Sequence, residues 1–220
     1  MSTAFAHLPI VTNGLNFSFD AYNRKSYVSG TTSTYNLRKT SDVGTLYNGV
    51  EFDGSTFSFD GTNDSINFGS IITLGSTYTL EAWVKPTSDH NGIVMSMDDG
   101  VGGTRLFQLK KKNTGTFQFI YFYGGGSFVQ VDTSVTSNTE WHHIVAVYNG
   151  TNGRCYLNGV LDGVGSNQVV DTGTTDLIFG SIGDGGNPYL GLISRGKIYD
   201  KALSETEILQ NYNATKGRYK

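Results

Sequence analysis

The stretch Trp141 to Val160, WHHIVAVYNGTNGRCYLNGV, decides the fold because it contains one complete chain reversal and the start of another. Residues 141–148 alternate with period two, which is typical of a β-strand, and both alternating sets are largely apolar. Such a strand belongs inside a sheet that is covered on both faces. Asn149–Gly153 is a turn segment, and Asn158-Gly159 favours a two-residue type I′ turn, because Asn and Gly adopt positive φ at low cost. The stretch therefore predicts an antiparallel hairpin within a larger sheet.

The composition around this stretch predicts an all-β protein. The 220 residues include 29 glycines, 13 tyrosines and 13 phenylalanines but only 3 prolines, which combines strand-forming residues with turn formers. A chain of this length fits one large β-sandwich, and no linker-like break divides it. We predict a single domain over 1–220, with N-terminal strands and a long surface loop at 1–48, the sandwich at 49–201, and a helix and tail at 202–220.

Charge and hydropathy exclude several classes of partner. The formal net charge is -3 and charged residues make up 16% of the chain, so there is no electrostatic footprint for nucleic acid or an anionic membrane. No stretch approaches the roughly 18 apolar residues of a membrane span, and the N-terminal sequence MSTAFAHLPIVTNG lacks the features of a signal peptide. The single cysteine, Cys155, cannot form an intrachain disulfide, and we expect it to be buried and inert.

Other alternating segments supply the remaining strands. Tyr78–Lys85 predicts a central strand that Pro86 ends. Val50–Ser55 with Phe57–Thr62 predicts a hairpin or two successive edge strands, because each segment carries Asp-Gly. Asp20–Lys39 is polar and rich in turn formers, so we expect a surface loop with little core of its own. Further strands are predicted at Leu8–Val11, Leu15–Phe19, Ser65–Phe68, Ile93–Met97, Leu106–Leu109, Thr116–Tyr123, Phe128–Val131, Leu177–Gly180 and Tyr189–Tyr199.

One helix is predicted, near the C-terminus. Ser204 and Glu207 have the spacing of a capping box, and Leu203 and Ile208 that of a hydrophobic staple. Ile208, Leu209 and Tyr212 form the predicted apolar face. Gly217 is the predicted stop signal, and Arg218–Lys220 is predicted to be a solvated tail. We expect this helix to dock on the sandwich.

Four phrases together resemble a known family. They are FDGTNDSINFG at 59–69, YTLEAWVKP at 78–86, WHHIVAVYNG with CYLNGV at 141–160, and GKIYDKALSETEI at 196–208. In this order they resemble the concanavalin A-like jelly rolls of the laminin G-like group. The resemblance implies two antiparallel sheets packed face to face, with ligand sites on a concave face or on the loops at its rim.

A narrower resemblance covers the ends of the chain. PIVTNGL at 9–15, DAYNRKSY at 20–27 and LQNYNATKGRY at 209–219 are similar to the flanks of laminin G-like proteins in tailed phages, particularly phages of marine bacteria. This resemblance implies a virion structural protein, such as a capsid decoration, fibre or tail adhesin, that is assembled in the host cytoplasm. Its partners would be other virion proteins or further copies of itself, together with cell-surface glycans.

The resemblance implies two kinds of chemistry, glycoside hydrolysis and calcium binding, and the residues at the corresponding positions differ for both. Glycoside hydrolases of the same sandwich commonly carry Glu-x-Asp-x-x-Glu, and the segment Glu51-Phe52-Asp53 begins that pattern, but Thr56 stands in place of the second glutamate. Many relatives bind calcium through a carboxylate at a position where this chain has Ser194, followed by Arg195. We therefore predict no enzymatic activity and no cofactor, with calcium in doubt because Ser194 replaces the usual acid.

Other candidate ligands have simpler explanations. Asp60, Asp64 and the Asp98-Asp99 loop could donate oxygens to a metal, but Asx-turn capping of hairpins explains them better. His142 and His143 point to opposite faces of a strand and cannot chelate one ion, so we expect one imidazole inside and one at the surface.

What remains is a binding surface. Aromatic side chains can stack on sugar rings, and Asn and Asp can bond hydroxyls, although most rings of the 117–123 strand are expected in the core. The residues predicted to contact a ligand are Tyr121, Tyr123, Asp184, Asn187 and Tyr189. We predict a non-enzymatic phage virion structural protein that acts by attachment; the alternative is a free-standing carbohydrate-binding lectin that could depend on calcium.

Overall fold

The computed structural model describes residues 9–100 and 102–219, which form two large antiparallel sheets and a C-terminal helix. The strands of the first half of the chain are β1 (Leu15–Asp20), β2 (Ser33–Tyr35), β3 (Val43–Tyr47), β4 (Glu51–Phe52), β5 (Phe57–Asp60), β6 (Ser65–Asn67), β7 (Thr73–Leu74), β8 (Tyr78–Pro86), β9 (Gly92–Asp98) and β10 (Arg105–Lys111). They are followed by β11 (Phe117–Tyr123), β12 (Ser127–Asp132), β13 (His142–Tyr148), β14 (Asn152–Leu157), β15 (Val160–Asn167), β16 (Gly173–Thr174), β17 (Ile178–Phe179) and β18 (Leu190–Tyr199). Helix α1 (Glu205–Thr215) leads into a short 3-10 turn at Lys216–Arg218.

The two sheets pack face to face as a β-sandwich of the jelly-roll type. Sheet A has the order β15-β14-β13-β8-β18-β5-β4, with β1 also paired to β18. Sheet B has the order β12-β11-β10-β9-β17-β6-β3-β2, and β7 pairs with β16 in a small ribbon. The predicted all-β fold with one C-terminal helix is confirmed.

The hairpin stretch lies where the sequence predicts it, in the interior of sheet A. Strand β13 pairs with β8 on one side and β14 on the other, so that Ile144 lies opposite both Ala82 and Leu157. Asn158 and Gly159 have φ values of 52° and 84°, the left-handed conformation that a type I′ turn requires at both positions. Strand β8 is central as predicted, since β18 covers its other edge.

The main core lies between the sheets. Inward-facing side chains of sheet A meet those of sheet B, and the phenylalanines at the β1 and β17 end pack edge to face, with 4.8 Å between the rings of Phe19 and Phe179. The predicted hairpin at 50–62 is confirmed as β4 paired with β5.

A second core covers the outward face of sheet A. Val145 and Val147, which alternate with the inward residues of β13, pack under helix α1 against Ile208 and Leu203. The capping box is present, because the Ser204 hydroxyl accepts a hydrogen bond from the Glu207 backbone N–H while the Glu207 carboxylate accepts one from Ser204 N–H. Both faces of β13 are therefore buried, as its two apolar sets predict.

Two predictions about the start of the chain are wrong. Residues 9–12 form no strand, and Leu8 lies outside the described residues. The 20–39 segment is more than a surface loop, because β2 belongs to sheet B and Tyr27 is buried, with its ring 4.8 Å from that of Phe57. The sequence around Tyr27 does not predict its contact with β5, because Phe57 follows 30 residues later in the chain.

Two further predictions fail at the C-terminal helix. Leu209 is 44% exposed, and Asn211 takes its place on the buried face beside Ile208. Arg218 and Tyr219 are half-buried rather than solvated, whereas Lys220 lies outside the described residues. Within the described ranges, no helix has the length and apolar character needed to cross a membrane.

Candidate functional site

A buried charge network anchors helix α1 to the outward face of sheet A. Glu81 projects from β8 on the side away from the main core, and its Oε1 accepts a hydrogen bond from Lys197 Nζ at 2.6 Å. Its other oxygen accepts one from Asn211 Nδ2 of the helix at 2.7 Å. The Asn211 amide oxygen in turn accepts the Val11 backbone N–H at 2.8 Å. One carboxylate thus ties β8, β18, the helix and the N-terminal segment together.

Electrostatics keep this carboxylate ionised. Burial alone would raise the pKa of Glu81, but the adjacent Lys197 ammonium lowers it well below its usual value. His143 Nε2 lies 3.2 Å from Glu81 Oε1, outside hydrogen-bond geometry, and neither ring nitrogen of His143 has a partner among the described residues. Burial lowers the pKa of His143, so the imidazole is neutral near pH 7.

An open groove of about 610 Å³, here named the aromatic groove, lies beside this network at the end of helix α1. Its lining residues are Trp83, Lys85, Thr139, Glu140, Trp141, Asn158, Tyr212, Lys216 and Tyr219. Both tryptophans of the chain belong to it. Four aromatic side chains and several polar ones therefore converge on one surface.

Each aromatic side chain reaches the groove for a local reason. Trp83 alternates with Ala82 and Val84 of the main core, so its indole points outward, and its Nε1 donates a 2.9 Å hydrogen bond to Thr215 Oγ1. Trp141 precedes the first residue of β13. Tyr212 lies one helical turn after Ile208, on the same side of α1.

The rings form a layered wall. The Tyr219 ring stacks on Trp83 with 4.0 Å between centroids and 15° between planes. The Tyr212 ring is also nearly parallel to Trp83, at 5.9 Å and 16°. Trp141 is tilted against Tyr219 at 5.0 Å. Trp83 is buried at the base, whereas Trp141, Tyr212 and Tyr219 are half-buried and can offer surface to a ligand.

A smaller depression of about 250 Å³ lies on the other side of Trp141 and Tyr219. Its lining residues are Tyr22, Ser55, Thr56, Trp141, Ser194, Arg218 and Tyr219. Arg218 is held there by Asp20 Oδ1, at 2.6 Å from Nη1, and Nη2 donates to Ser194 Oγ at 2.9 Å. The two depressions share the Trp141 and Tyr219 side chains as a common wall.

Comparison with protein families gives a match over most of the sandwich. Residues 60–209, about two thirds of the chain, match the laminin G family model that is described as the concanavalin A-like lectin/glucanases superfamily. The chain belongs to this superfamily. The predicted resemblance to laminin G-like jelly rolls is thereby confirmed at the level of the family.

Solved structures show the same superfamily fold. The chain is similar to Trypanosoma rangeli sialidase, with a TM-score of 0.70, 15% identity, and coverage of 93% of this chain and 33% of that one. It is also similar to the binding domain of Paraclostridial Mosquitocidal Protein 1, with a TM-score of 0.71, 18% identity, and coverage of 91% and 52%. A third similar structure is the HCR/D W1238A mutant, with a TM-score of 0.67, 14% identity, and coverage of 90% and 50%.

These similarities support the fold alone. This concanavalin A-like chain spans about a third of the sialidase and about half of the other two proteins. Comparison with curated proteins gives no match. The activities of the larger proteins are therefore not transferred to it.

The residues predicted to contact a ligand do not form one site. Tyr121 and Tyr189 are both fully buried, so the expectation that they offer exposed contacts is wrong. The Tyr121 hydroxyl donates to the Ser166 backbone oxygen at 2.5 Å, and the ring faces the main core because it shares the inward side of β11 with Phe119. Sequence alternation identifies the two faces of β11, but it does not show which face is inward.

The other three predicted contacts lie at one end of the sandwich. Asp184 and Asn187 are exposed on the loop before β18, and Tyr123 is half-buried at the end of β11. The Asp184 carboxylate lies against Gly100, in the loop that follows β9. Their role as ligand contacts stays a prediction. The aromatic groove lies elsewhere, on the outward face of sheet A.

The superfamily's calcium position does not fit a cation here. Ser194 Oγ accepts hydrogen bonds from Arg218 Nη2 at 2.9 Å and from the Tyr219 hydroxyl at 3.0 Å. The guanidinium of Arg195 lies nearby and would repel a cation. Among the residues described, no group of three or more acidic, His or Cys side chains is arranged to hold a metal ion.

The remaining candidate ligands have structural roles. Asp64 Oδ2 accepts the Asp60 backbone N–H at 2.9 Å, as in a turn cap. Asp98 is held by Arg105 at 2.9 Å. His142 and His143 lie on opposite faces of β13, but both are buried, so the expectation of one surface imidazole is wrong. Cys155 is buried, which raises the pKa of its thiol.

Sequence reasoning missed the aromatic groove. The signal was present, since Trp83 on β8 alternates with core residues and Trp141 directly precedes the neighbouring strand β13. The missing information was the position of Tyr212 and Tyr219, which depends on how the helix and tail dock across the sheet.

Proposed function

We propose that this domain is a non-catalytic carbohydrate-binding module that holds a glycan in the aromatic groove. The observation that carries the proposal is the convergence of Trp141, Tyr212 and Tyr219 around an open volume of about 610 Å³. The superfamily includes lectins by its description, and the chain belongs to it. The groove supplies the surface that such binding needs.

The chemistry of a sugar suits this lining. A pyranose ring has apolar C–H faces that pack on aromatic rings, while its hydroxyls need hydrogen-bond partners. Around the rings, Lys85, Glu140 and Asn158 offer charged donors, acceptors and an amide. Asn158 is already fixed by the His143 backbone N–H, which donates to its Oδ1 at 2.9 Å. The polar rim is therefore partly preorganised.

The distribution of carboxylates supports binding without hydrolysis. Glycoside hydrolysis needs two carboxyl groups that flank the scissile bond. Among the described residues that line the aromatic groove, Glu140 is the acidic one. Glu81 lies below the surface and is held by Lys197 and Asn211. Asp53 caps its own turn through the Thr56 N–H and hydroxyl, and these bonds hold the pKa of Asp53 below its usual value despite partial burial.

Intrinsic fluorescence tests the binding proposal directly, because both tryptophans line the groove. We expect titration with a panel of oligosaccharides to change the emission of the protein. Trp141→Ala should weaken binding about tenfold or more, since a lost stacking contact is worth roughly 1 kcal/mol beyond the area it buries. Tyr47→Ala, which removes an exposed aromatic ring from sheet B, is the matched control and should bind normally.

Two outcomes would reject the proposal. The first is a glycan whose affinity is unchanged by Trp141→Ala, because its site would then lie elsewhere. The second is release of reducing sugar from a bound oligosaccharide in a clean preparation, which would replace binding with catalysis.

The finer proposal is that this module is part of a tailed-phage virion, as a capsid decoration, fibre or tail adhesin. Three segments, 9–15, 20–27 and 209–219, resemble the flanks of such proteins, and in this fold they meet. Val11 N–H donates to Asn211, and Arg218 pairs with Asp20. The resemblance therefore concerns one contiguous surface rather than three unrelated segments.

Mass spectrometry of purified virions tests this finer proposal. We expect the chain at a constant stoichiometry relative to the major capsid protein, and light scattering of the isolated protein should show a closed oligomer. A monomer that binds glycans and is absent from virions would instead favour a free-standing lectin.

A further inference from the structure

We infer that the ligand of the aromatic groove is an anionic, linear glycan that runs from the groove across Trp141 and Tyr219 into the smaller depression beside Arg218. The inference rests on the proposed function and names the chemical class of its ligand. It requires an excess of positive charge along the path and continuity between the two depressions.

The aromatic groove carries excess positive charge. Lys85 and Lys216 line it, and neither forms an ion pair with residues in the described ranges. Glu140 is the acidic residue among its described lining, so the formal charge of the lining is +1. Lys216 Nζ lies 5.1 Å from the Tyr212 ring centroid, which places an ammonium directly over an aromatic surface.

The smaller depression is also cationic. Arg218 is the charged residue among its described lining, and its guanidinium is paired with Asp20 at 2.6 Å. Arg195, which is outside the lining, pairs with the same carboxylate at 2.6 Å, so two guanidinium groups and one carboxylate leave a formal charge of +1 at this place. Guanidinium groups bind carboxylates and sulfates through parallel hydrogen bonds.

This concentration of positive charge is not a property of the whole chain. The chain has a formal net charge of -3, yet the two depressions together carry a formal charge of about +2 from the groups just named. A negatively charged ligand would be attracted to this surface and repelled by much of the rest of the protein. Charge of this kind sets specificity and association rate more than total affinity.

Continuity between the depressions favours a chain over a single sugar. Trp141 and Tyr219 line both, so a ligand can pack against one aromatic wall from either side. Tyr22 extends the path beyond Arg218, whose guanidinium lies 4.8 Å from its ring centroid. Alternating rings and cations are the arrangement that a linear acidic polysaccharide needs, since its sugar faces and its charges alternate along the chain.

Two matched pairs of probes test the inference. Short oligogalacturonides are compared with their methyl esters, and heparin oligosaccharides with their desulfated, carboxyl-reduced forms. Tryptophan emission and calorimetry should show that the acidic member of at least one pair binds roughly tenfold more tightly than its neutral partner, the preference that two partly exposed ion pairs support. The preference should shrink as salt is added.

Lysine variants connect the preference to the groove. Lys85→Gln with Lys216→Gln should remove most of the preference for the acidic member, so that the acidic and neutral members of a pair bind the double variant with nearly equal affinity. The control is Lys110→Gln with Lys112→Gln, which changes the net charge equally but on the sheet B side. Arg218 is left intact because it also holds Ser55 and Asp20.

The possible results separate the inference from the function on which it rests. If neutral glycans, from the pairs or on a general array, bind as tightly as acidic ones, the inference is wrong but the proposed glycan binding is still supported. If the double variant still prefers acidic glycans, the lysines of the aromatic groove are not the cause of the preference, and the inference is wrong. No binding by any member of the pairs or the array would overturn the proposed function as well.

Discussion

At the scale of single residues, Glu81 shows how a buried charge is stabilised in this fold. It is 1% exposed and contacts Lys197, Asn211 and His143, which come from two strands and the helix. A buried carboxylate without such partners would be protonated or would destabilise the fold. The partners of Glu81 therefore determine its charge state, and through Asn211 they also fix the position of helix α1.

Glu81→Gln tests this role. The amide would leave Lys197 buried without a counter-charge, and breaking a buried ion pair in this way costs about 3–5 kcal/mol. Urea denaturation should show a large fall in the free energy of unfolding. Glu205→Gln, an exposed carboxylate in the first turn of α1, is the control and should lower it by less than about 1 kcal/mol. Equal effects of the two variants would mean that the network contributes little.

His143 makes stability depend on pH in a defined direction. Burial lowers the pKa of His143 below its ordinary value of 6.5, and the charges that face it are Glu81, Lys197 and Arg195. The unfolded chain then binds a proton that the folded chain does not, so stability is lost as pH falls below about 6.5. His90 and His142 are shifted in the same direction by burial.

Denaturation at two pH values checks the contribution of His143. Between about pH 7.5 and 5.5 it can lower the free energy of unfolding by up to roughly 1.4 kcal/mol. His143→Gln should remove about that much of the change in stability between the two pH values. The part of the change that comes from His90 and His142 should remain in the variant. A slope of stability against pH that is unchanged in the variant would show that folding does not lower the pKa of His143, which would contradict the prediction.

At the scale of elements, helix α1 is held by its cap and by a narrow buried face. Ser204→Ala removes the side chain that accepts the Glu207 N–H and should cost about 1 kcal/mol. Thr206→Ala, at an exposed position of the same turn, should change stability little. The difference between their urea midpoints measures the cap.

How far the sequence predicts the elements depends on how local their determinants are. The β13–β14 hairpin is predicted because period-two alternation and the Asn158-Gly159 turn are contained within 20 residues. The capping box of α1 is equally local. The docking of Tyr27 and Tyr219 is not, because their partners Phe57 and Trp83 lie far away in the chain and nothing in the local pattern identifies them.

The candidate site follows the same rule. Trp83 and Trp141 could have been placed on one sheet from the alternation of β8 and the position of β13. The burial of Tyr121 is not predicted because an alternating aromatic strand does not reveal which of its faces is inward, and the burial of Tyr189 is not predicted because it ends a polar loop. A groove whose walls come from two strands, a helix and a tail requires the tertiary arrangement.

At the scale of the whole molecule, the outward face of sheet A is closed by both ends of the described chain. Val11 binds Asn211, and Asp20 binds Arg218, so the first and last described segments interlock over β8, β13 and β18. The central strands of sheet A are therefore buried on both sides, and the aromatic groove is formed by the covering segments together with the end of β8. This explains why the groove was invisible to a strand-by-strand interpretation.

The same closure leads us to propose that the fold needs no calcium. The oxygens that a cation would use are already occupied: Ser194 by Arg218 and Tyr219, and Asp98 by Arg105. Thermal melting of the protein should therefore give the same midpoint with calcium as with a chelator, and glycan binding should be equal in both. A cation that bound the folded state at about 100 times its Kd would stabilise it by about 2.7 kcal/mol, which is readily measured as a higher midpoint. Such a shift would restore the calcium-dependent lectin, and it would place the ion outside the Ser194 position, since two guanidinium groups flank that hydroxyl.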